Sequence, residues 1–200
     1  PSYCVTITYM KRQLFFFICS LLIFSGSLAS AYGQGDEGSS SIELPSPRFE
    51  GSLSLERALF ERESVRSFSE KSISLEHLAQ LLWAGNGMQV DAISGPTRTA
   101  PSAGGLYPQE LYVFSGNVED LEAGVYRYEP GRHELIRIVD EDRRGQVARA
   151  ALNQRFIADA PVTLVVGGVI ERTRAKYGKR GTDRYVYMDA AASAENIFLQ

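Results

Sequence analysis

Apolar positions recur at helical spacing twice in the first half of the chain. Leu55, Leu59 and Phe60 fall on one side of LERALFER, with Ser52 or Ser54 placed to cap it. Leu75, Leu78, Leu81 and Leu82 repeat at the same period after Ser74, and Gly85-Asn86-Gly87 ends the run. Ser74 followed by His77 is half of a capping pattern. Leu111 to Phe114 reads as a strand, and VYRYEPGRHELIRI as a hairpin of two alternating runs about Pro130-Gly131. Arg143 to Ala151 returns to helical spacing. Pro161 to Val169, PVTLVVGGV, is a continuous β-branched run and predicts a buried strand. Tyr185 to Gln200 is an alanine-rich helix of good formers. Helices, one hairpin and a buried strand in this order predict an α+β fold rather than a βαβ repeat.

Gly85 to Pro108 reads as one long irregular stretch. Loops longer than about 15 residues with no structure of their own are usually functional or disordered. This one contains RTAPSAGGLYP, residues 98–108. Ser102, Gly104 and Gly105 can offer a hydroxyl and backbone N–H groups to a planar polar ligand, and glycine lets a backbone come close. A plain connection is the other reading. Upstream lies Arg62-Glu63-Ser64-Val65-Arg66. In an extended segment Arg62, Ser64 and Arg66 share a face and make a phosphate clamp. On a continuing helix only the two arginines do, and a solvated helix end reads the same way.

The start of the chain is of a different kind. Met10 is followed by Lys11-Arg12, by the apolar run Leu14 to Phe24 and by Ala29-Ser30-Ala31. That is the order of a secretory signal peptide over residues 10–31, with residues 1–9 as upstream read-through. The protein is therefore expected to be exported; an uncleaved N-terminal membrane anchor is the alternative. Residues 32–50 are rich in Gly, Ser and Pro and read as a flexible linker, and 51–200 as one domain. The apolar last helix runs to Gln200 with no cap, which leads us to expect that the C-terminal part of the domain is missing.

Composition narrows the chemistry. A hydrophobic content of 44% over 200 residues supports one ordinary core. The formal charge of −3 argues against a general nucleic-acid binder. Cleavage of the leader would move it to −5, because Lys11 and Arg12 are lost and no acid is. Cys4 and Cys19 both lie in or before the leader, so a disulfide framework or a cysteine nucleophile is not expected. His77 and His133 stand alone, and no metal site is expected. Asp183 and Asp189 show no carboxylate-pair pattern.

Taken in order, RESVRSF, LLWAGNG, RTAPSAGGLYPQELYVF, GVYRYEP, FIADAPVTLVV and KYG before the alanine-rich helix resemble the nitroreductase superfamily. The likeness is greatest to its SagB-type dehydrogenase branch and covers about residues 52–200. It implies an α+β fold with a central, mostly antiparallel sheet flanked by helices. It implies FMN held at a homodimer interface, and hydride passed between NAD(P)H, a small molecule or a peptide and an acceptor. Arg62, Ser64 and Arg66 match the arginine-rich motif for the FMN phosphate and ribityl side, with Glu63 departing from it. Pro101, Ser102, Ala103, Gly104 and Gly105 match the loop along the flavin ring, and Arg98 an arginine near cofactor or substrate. Lys176 and Tyr177 match a pair thought to be catalytic in azoline dehydrogenases, although KYGKRG also reads as a basic, glycine-broken surface turn. Ala191-Ala192 stands where the branch often has Gly-His. Two alternatives stay open: an NAD(P)H-dependent nitro or quinone reductase, and a non-catalytic flavin- or peptide-binding relative.

Overall fold

The computed structural model describes residues 41–91 and 95–200. The leader, its cleavage site and both cysteines lie outside them. Five strands form one sheet: β1 (Ser41–Glu43), β4 (Gln109–Ser115), β5 (Gly124–Glu129), β6 (Glu134–Val139) and β7 (Val162–Gly168), in the order β1-β6-β5-β4-β7. Every neighbouring pair is antiparallel. The strand β1 lies inside the stretch read as linker. Its Ile42 pairs opposite Leu135, and the following Leu44 is buried. A short S-I-E-L alternation among serines and prolines was too weak a signal to stand out.

Six helices complete the described fold: α1 (Leu55–Glu61), α2 (Leu75–Asn86), α3 (Arg144–Ala150), α4 (Phe156–Asp159), α5 (Ile170–Arg180) and α6 (Val186–Leu199). Strand alternation sends Leu111, Val113, Leu164 and Val166 to one face, where they pack with α2 and with Ala190 and Ile197 of α6. Phe114, Val125 and Val165 point the other way, against Val147, Ala148 and Ile157. Both faces are covered, which is why β7 reads as continuous Val and Leu rather than as an alternating strand.

Both serine caps form. The Ser54 hydroxyl accepts the Arg57 N–H at 3.3 Å, and the Ser74 hydroxyl accepts the His77 N–H at 3.3 Å. The apolar side of α1 is a different matter, for Leu55, Leu59 and Phe60 are all exposed, Phe60 by 78%. Their spacing marks a face that this chain by itself leaves uncovered.

The stretch from Gly85 to Pro108 is more structured than its composition indicates. It holds an antiparallel pair, β2 (Met88–Asp91) with β3 (Gly95–Arg98), and one 3-10 turn at Ala103–Gly105. The segment KYGKRG, read as a turn, instead closes α5. Gly178 (φ 57°, ψ −139°) breaks that helix, and a π-helical turn (Gly181–Tyr185) leads into α6. Of α5 only Thr173 is buried, so no apolar period announced the helix.

His133 ties β1 to the sheet edge. It sits at φ 51° in the turn after β5, with Nε2 3.0 Å from the Pro45 carbonyl and Nδ1 2.8 Å from the Tyr128 hydroxyl. A neutral ring protonated on Nε2 serves both partners. Burial pushes its pKa below the ordinary 6.5, against a smaller opposite effect of the Pro45 bond. The unfolded chain then binds the proton more readily. Stability is therefore full above about pH 6.5 and is lost as pH falls through the lower folded value. Urea unfolding at pH 7.5 and 5.5 is expected to show this loss, and His133→Gln to flatten it.

Candidate functional site

The site is built where the C-terminal end of α2 meets the loop 98–108. A helix leaves its last four carbonyls without helical partners. In α2 the carbonyls of Ala84, Gly85 and Asn86 find donors from outside the helix, and that of Trp83, which keeps the Gly87 N–H at 2.7 Å, takes a second donor. The Thr99 hydroxyl donates to Trp83 at 2.9 Å, and the Asn196 amide to Ala84 at 3.1 Å. The Ser193 hydroxyl donates to Gly85, and the Arg98 guanidinium to Asn86 at 3.2 Å. Two of these donors, Arg98 and Thr99, open the loop, and the other two come from α6. The loop is thus fixed at its start by the end of a core helix.

Arg98 is half-buried, with its guanidinium 5.6 Å from the Tyr107 ring centre. Burial lowers its pKa below the ordinary guanidinium value, opposed by the charge of Glu129 and the neighbouring tyrosines. As a cation at a helix C-terminus it is well placed to cap α2. One of its Nη groups is committed there.

Within the turn, Gly104 and Gly105 both stand at φ 66°, in the left-handed region that disfavours side chains. A Cβ on Gly105 would meet nothing within 4 Å, whereas one on Gly104 would collide with the Tyr177 hydroxyl and lie 2.8 Å from Lys176 Nζ. Helix α5 therefore brings Lys176 and Tyr177 against the glycine turn. Lys176 Nζ is 3.5 Å from the Gly104 carbonyl, at the limit of a hydrogen bond. One helical turn earlier, Arg172 donates to the Tyr107 carbonyl at 3.1 Å and pairs with Glu110 at 2.6 Å. Tyr177 is half-buried, its ring edge-on to Tyr185 with centres 4.9 Å apart.

Asp189 was not among the sequence candidates, yet it is buried beneath the turn. The Ser102 hydroxyl donates to its Oδ2 at 2.6 Å, and the Ala103 N–H reaches the same oxygen at 3.2 Å. Ser102 Oγ in turn accepts the Tyr107 N–H at 2.9 Å. Beside this, Asn86 donates to the Gln109 carbonyl at 3.2 Å, while its Oδ1 and both side-chain amide atoms of Gln109 are buried with no partner among the described residues.

The arginine motif lies apart. Arg62 caps α1 at φ −57°, ψ 119°, and residues 62–69 have no helical turn, so a continuing helix is excluded. Arg62, Ser64 and Arg66 are exposed, and Arg66 lies 5.8 Å from the Phe156 ring centre. Among the described residues no hydrogen bond or ion pair joins this segment to the turn at 101–105. The structure thus brings together Arg98, Ser102, Ala103, Gly104, Lys176 and Tyr177, with Pro101 and Gly105 exposed at the rim. It leaves Arg62, Ser64 and Arg66 as a separate group.

The turn is more sensitive than its exposure implies. Gly104→Ala is expected to cost about 1–2 kcal/mol for the left-handed backbone alone. It also displaces Tyr177 and Lys176, which a thermal melt and the fluorescence of Tyr177 against a Tyr177→Phe control will register. A Gly105→Ala variant carries the backbone cost without the displacement.

Comparison with known proteins is consistent across sequence and structure. The nitroreductase family profile matches residues 59–200. A nitroreductase-like protein of Methanocaldococcus jannaschii is 40% identical over 158 residues, 79% of this chain and 77% of that protein. A nitroreductase-like crystal structure from Ralstonia eutropha JMP134 superposes with a TM-score of 0.66 at 30% identity, covering 87% of this chain and 76% of its own. One from Anabaena variabilis has a TM-score of 0.68 at 22% identity over 96% of this chain and 40% of its own, and shows the fold alone. So does a chain of the Escherichia coli microcin synthetase complex with truncated pro-MccB17 bound, at 0.50 and 20% identity, covering 96% and 79%.

Proposed function

The chain belongs to the nitroreductase family of oxidoreductases, and from that premise we propose that it is an FMN-dependent enzyme of the SagB-type dehydrogenase branch. Its substrate is a small molecule or a peptide of the kind held in the microcin synthetase complex. The observation that carries this reading is the exposed turn at Gly104-Gly105, with left-handed backbone and no side chain of its own, edged by Lys176 and Tyr177. At Gly105, where nothing lies within 4 Å of the place a Cβ would take, a flat ring has room against the backbone.

Arg62, Ser64 and Arg66 would hold the phosphate and ribityl side, since the segment is exposed, non-helical and carries two guanidinium groups. Arg98, Pro101 and the backbone of Ser102 to Gly105 would line the ring. When bound, the flavin supplies a reversible hydride acceptor at N5. The protein supplies position and proton transfer. Loss of hydride from a C–H centre leaves a cationic carbon, and a proton on the neighbouring atom must then be removed to form the double bond. Lys176 Nζ and the Tyr177 hydroxyl both lie beside Gly104 at the turn, on the side where its side chain would stand.

The motif and the turn are separate within one chain, and α1 exposes Leu55, Leu59 and Phe60, with Met188 of α6 also bare. Both features support a homodimer in which a second copy covers α1 and completes the cofactor site. Export through the leader fits with this reading, since the mature chain would carry no thiol to oxidise.

The test is reconstitution of residues 32–200 with FMN. A bound chromophore absorbing near ~450 nm is expected after desalting, in a species of twice the monomer mass. Colourless protein overturns the reading. If the bound chromophore is bleached rapidly by NADH or NADPH, the general nitro or quinone reductase is favoured. If it is bleached only by an oxidisable substrate, the dehydrogenase is.

A further inference from the structure

Helix α6 carries a polar stripe on an otherwise alanine-rich surface. Asp189, Ser193, Asn196 and Gln200 fall at i, i+4, i+7 and i+11, which is one face. Three of the four serve helix α2 and the start of the loop. Ser193 donates to Gly85, Asn196 donates to Ala84 and Thr99 at 3.1 and 3.2 Å, and Gln200 accepts from Gln80 at 3.2 Å. Asp189 breaks the pattern. It is 5% exposed, and its hydrogen bonds go to the turn at Ser102 and Ala103.

Chemistry makes this a costly choice for helix packing alone. A buried carboxylate costs several kcal/mol unless hydrogen bonds replace its water. Among the described residues no cation lies within ion-pairing distance of Asp189. Its compensation is one hydroxyl and one amide, both from a six-residue turn. The bonds then pass onward. Asp189 accepts the Ser102 hydroxyl, which leaves the Ser102 Oγ lone pair for the Tyr107 N–H at 2.9 Å, while the Ser102 carbonyl takes the Gly105 N–H at 3.1 Å. Alternate amides of the turn, at 103, 105 and 107, are thereby held by Asp189 or by Ser102. From the other side Arg172 holds the Tyr107 carbonyl and Lys176 the Gly104 carbonyl.

We propose that Asp189 is the positioning residue of this enzyme: through the Ser102 hydroxyl it fixes the turn 102–107 in the shape that receives the cofactor ring. It does not touch the cofactor. On this account the Ser102 hydroxyl acts inward, as the relay, and the ring is met by the backbone at Gly104 and Gly105. The inference rests on the flavin reading above, but its first measurement does not need the flavin.

Asp189→Asn keeps the size of the side chain but removes its charge and, with its oxygen held by Ser102, sets an NH2 group in place of the oxygen 3.3 Å from the Ala103 N–H. In the flavin-free protein, amide exchange at Ala103 and Tyr107 is expected to rise about 10-fold or more, as a lost charge-assisted bond implies. FMN affinity is expected to fall about 10- to 100-fold for the same reason. Ser102→Ala is expected to do likewise, Ser102→Thr to restore binding, and the Asp189→Asn, Ser102→Ala double variant to be no worse than either single one. Additive losses would mean independent packing effects and overturn the relay, as would unchanged exchange at Ala103 and Tyr107. Faster exchange with unchanged FMN affinity would overturn the link to the cofactor. If the parent chain takes up no flavin, the functional reading fails separately, and the exchange result alone decides whether Asp189 sets the turn. Ser102→Ala supplies that result should Asp189→Asn fail to fold.

Discussion

A chain carrying Arg62→Ala and Arg66→Ala together is expected to fold as the parent does and to lose its hold on FMN. Folding is spared because both side chains are exposed and neither supports the core. Arg66 contributes only a contact over Phe156, at 5.8 Å. Binding is not spared, because each guanidinium is expected to make a charge-assisted bond to the phosphate. Such bonds contribute about 1.5–3 kcal/mol each, so the pair corresponds to roughly 10²- to 10⁴-fold in affinity. The loss must also depend on salt. Exposed charges are screened over about 10 Å at 0.1 M, so the parent should weaken as salt rises and the variant should not. Glu63 sits between the two arginines, and Glu63→Arg is expected to tighten FMN several-fold at low salt. Fluorescence titration of FMN at two salt concentrations measures all three. A double variant that binds as the parent does would remove this segment from the site.

This segment also shows how far a sequence carries the argument. The spacing of Arg62, Ser64 and Arg66 fitted an extended clamp or a helix end, and only the backbone angles of Arg62 removed the helix. The elements that could be read in advance are those whose burial imposes a period. Helix α2 buries Leu78, Leu81 and Leu82 on one side, and β7 buries both of its faces. The β5–β6 hairpin turns at Pro130-Gly131, between two alternating runs. Helix α5 has no such signature, since it is a charged segment lying on a loop. The short pair β2–β3 was hidden for the same reason, with a proline inside β3 as a further disguise.

The site was legible in its glycines and not in its supports. Gly104 and Gly105 draw attention because only small residues tolerate their backbone. Asp189 does not, because a polar position every third or fourth residue of a helix marks a solvated face as readily as a buried one. Which of the two it marks depends on what packs there, and that is decided by residues some 86 positions away. Arg98 was read as a contact for the cofactor. Its bond to the Asn86 carbonyl shows that it also closes a helix, a role set by where β3 delivers it. Loop residues placed by local backbone needs can be found from sequence, whereas those placed by long-range packing cannot.

Lys176 and Tyr177 carry the last and most demanding prediction. Lys176→Met and Tyr177→Phe are each expected to keep FMN and to slow substrate oxidation, by about 10²- to 10⁴-fold for whichever group takes the proton. The structure gives the two different environments, and these separate them. Lys176 is exposed and holds the Gly104 carbonyl at 3.5 Å, so it has a structural task as well as a chemical one. Tyr177 is half-buried between the turn and Tyr185, and its hydroxyl is the atom nearest the place a Gly104 side chain would take. Loss of a mere turn support should raise KM and loosen FMN while leaving kcat nearly intact. Loss of the proton acceptor should lower kcat and kcat/KM together and remove a limb from the pH profile. A lysine that only supports the turn is replaceable by arginine, and Lys176→Arg should then restore the parent rate. A lysine that takes the proton is not, because a guanidinium stays protonated throughout the working range. Stopped-flow reduction of the bound flavin by substrate reads the chemical step directly. Unchanged reduction rates in both Lys176→Met and Tyr177→Phe would remove the pair from catalysis and leave α5 as a support for the turn.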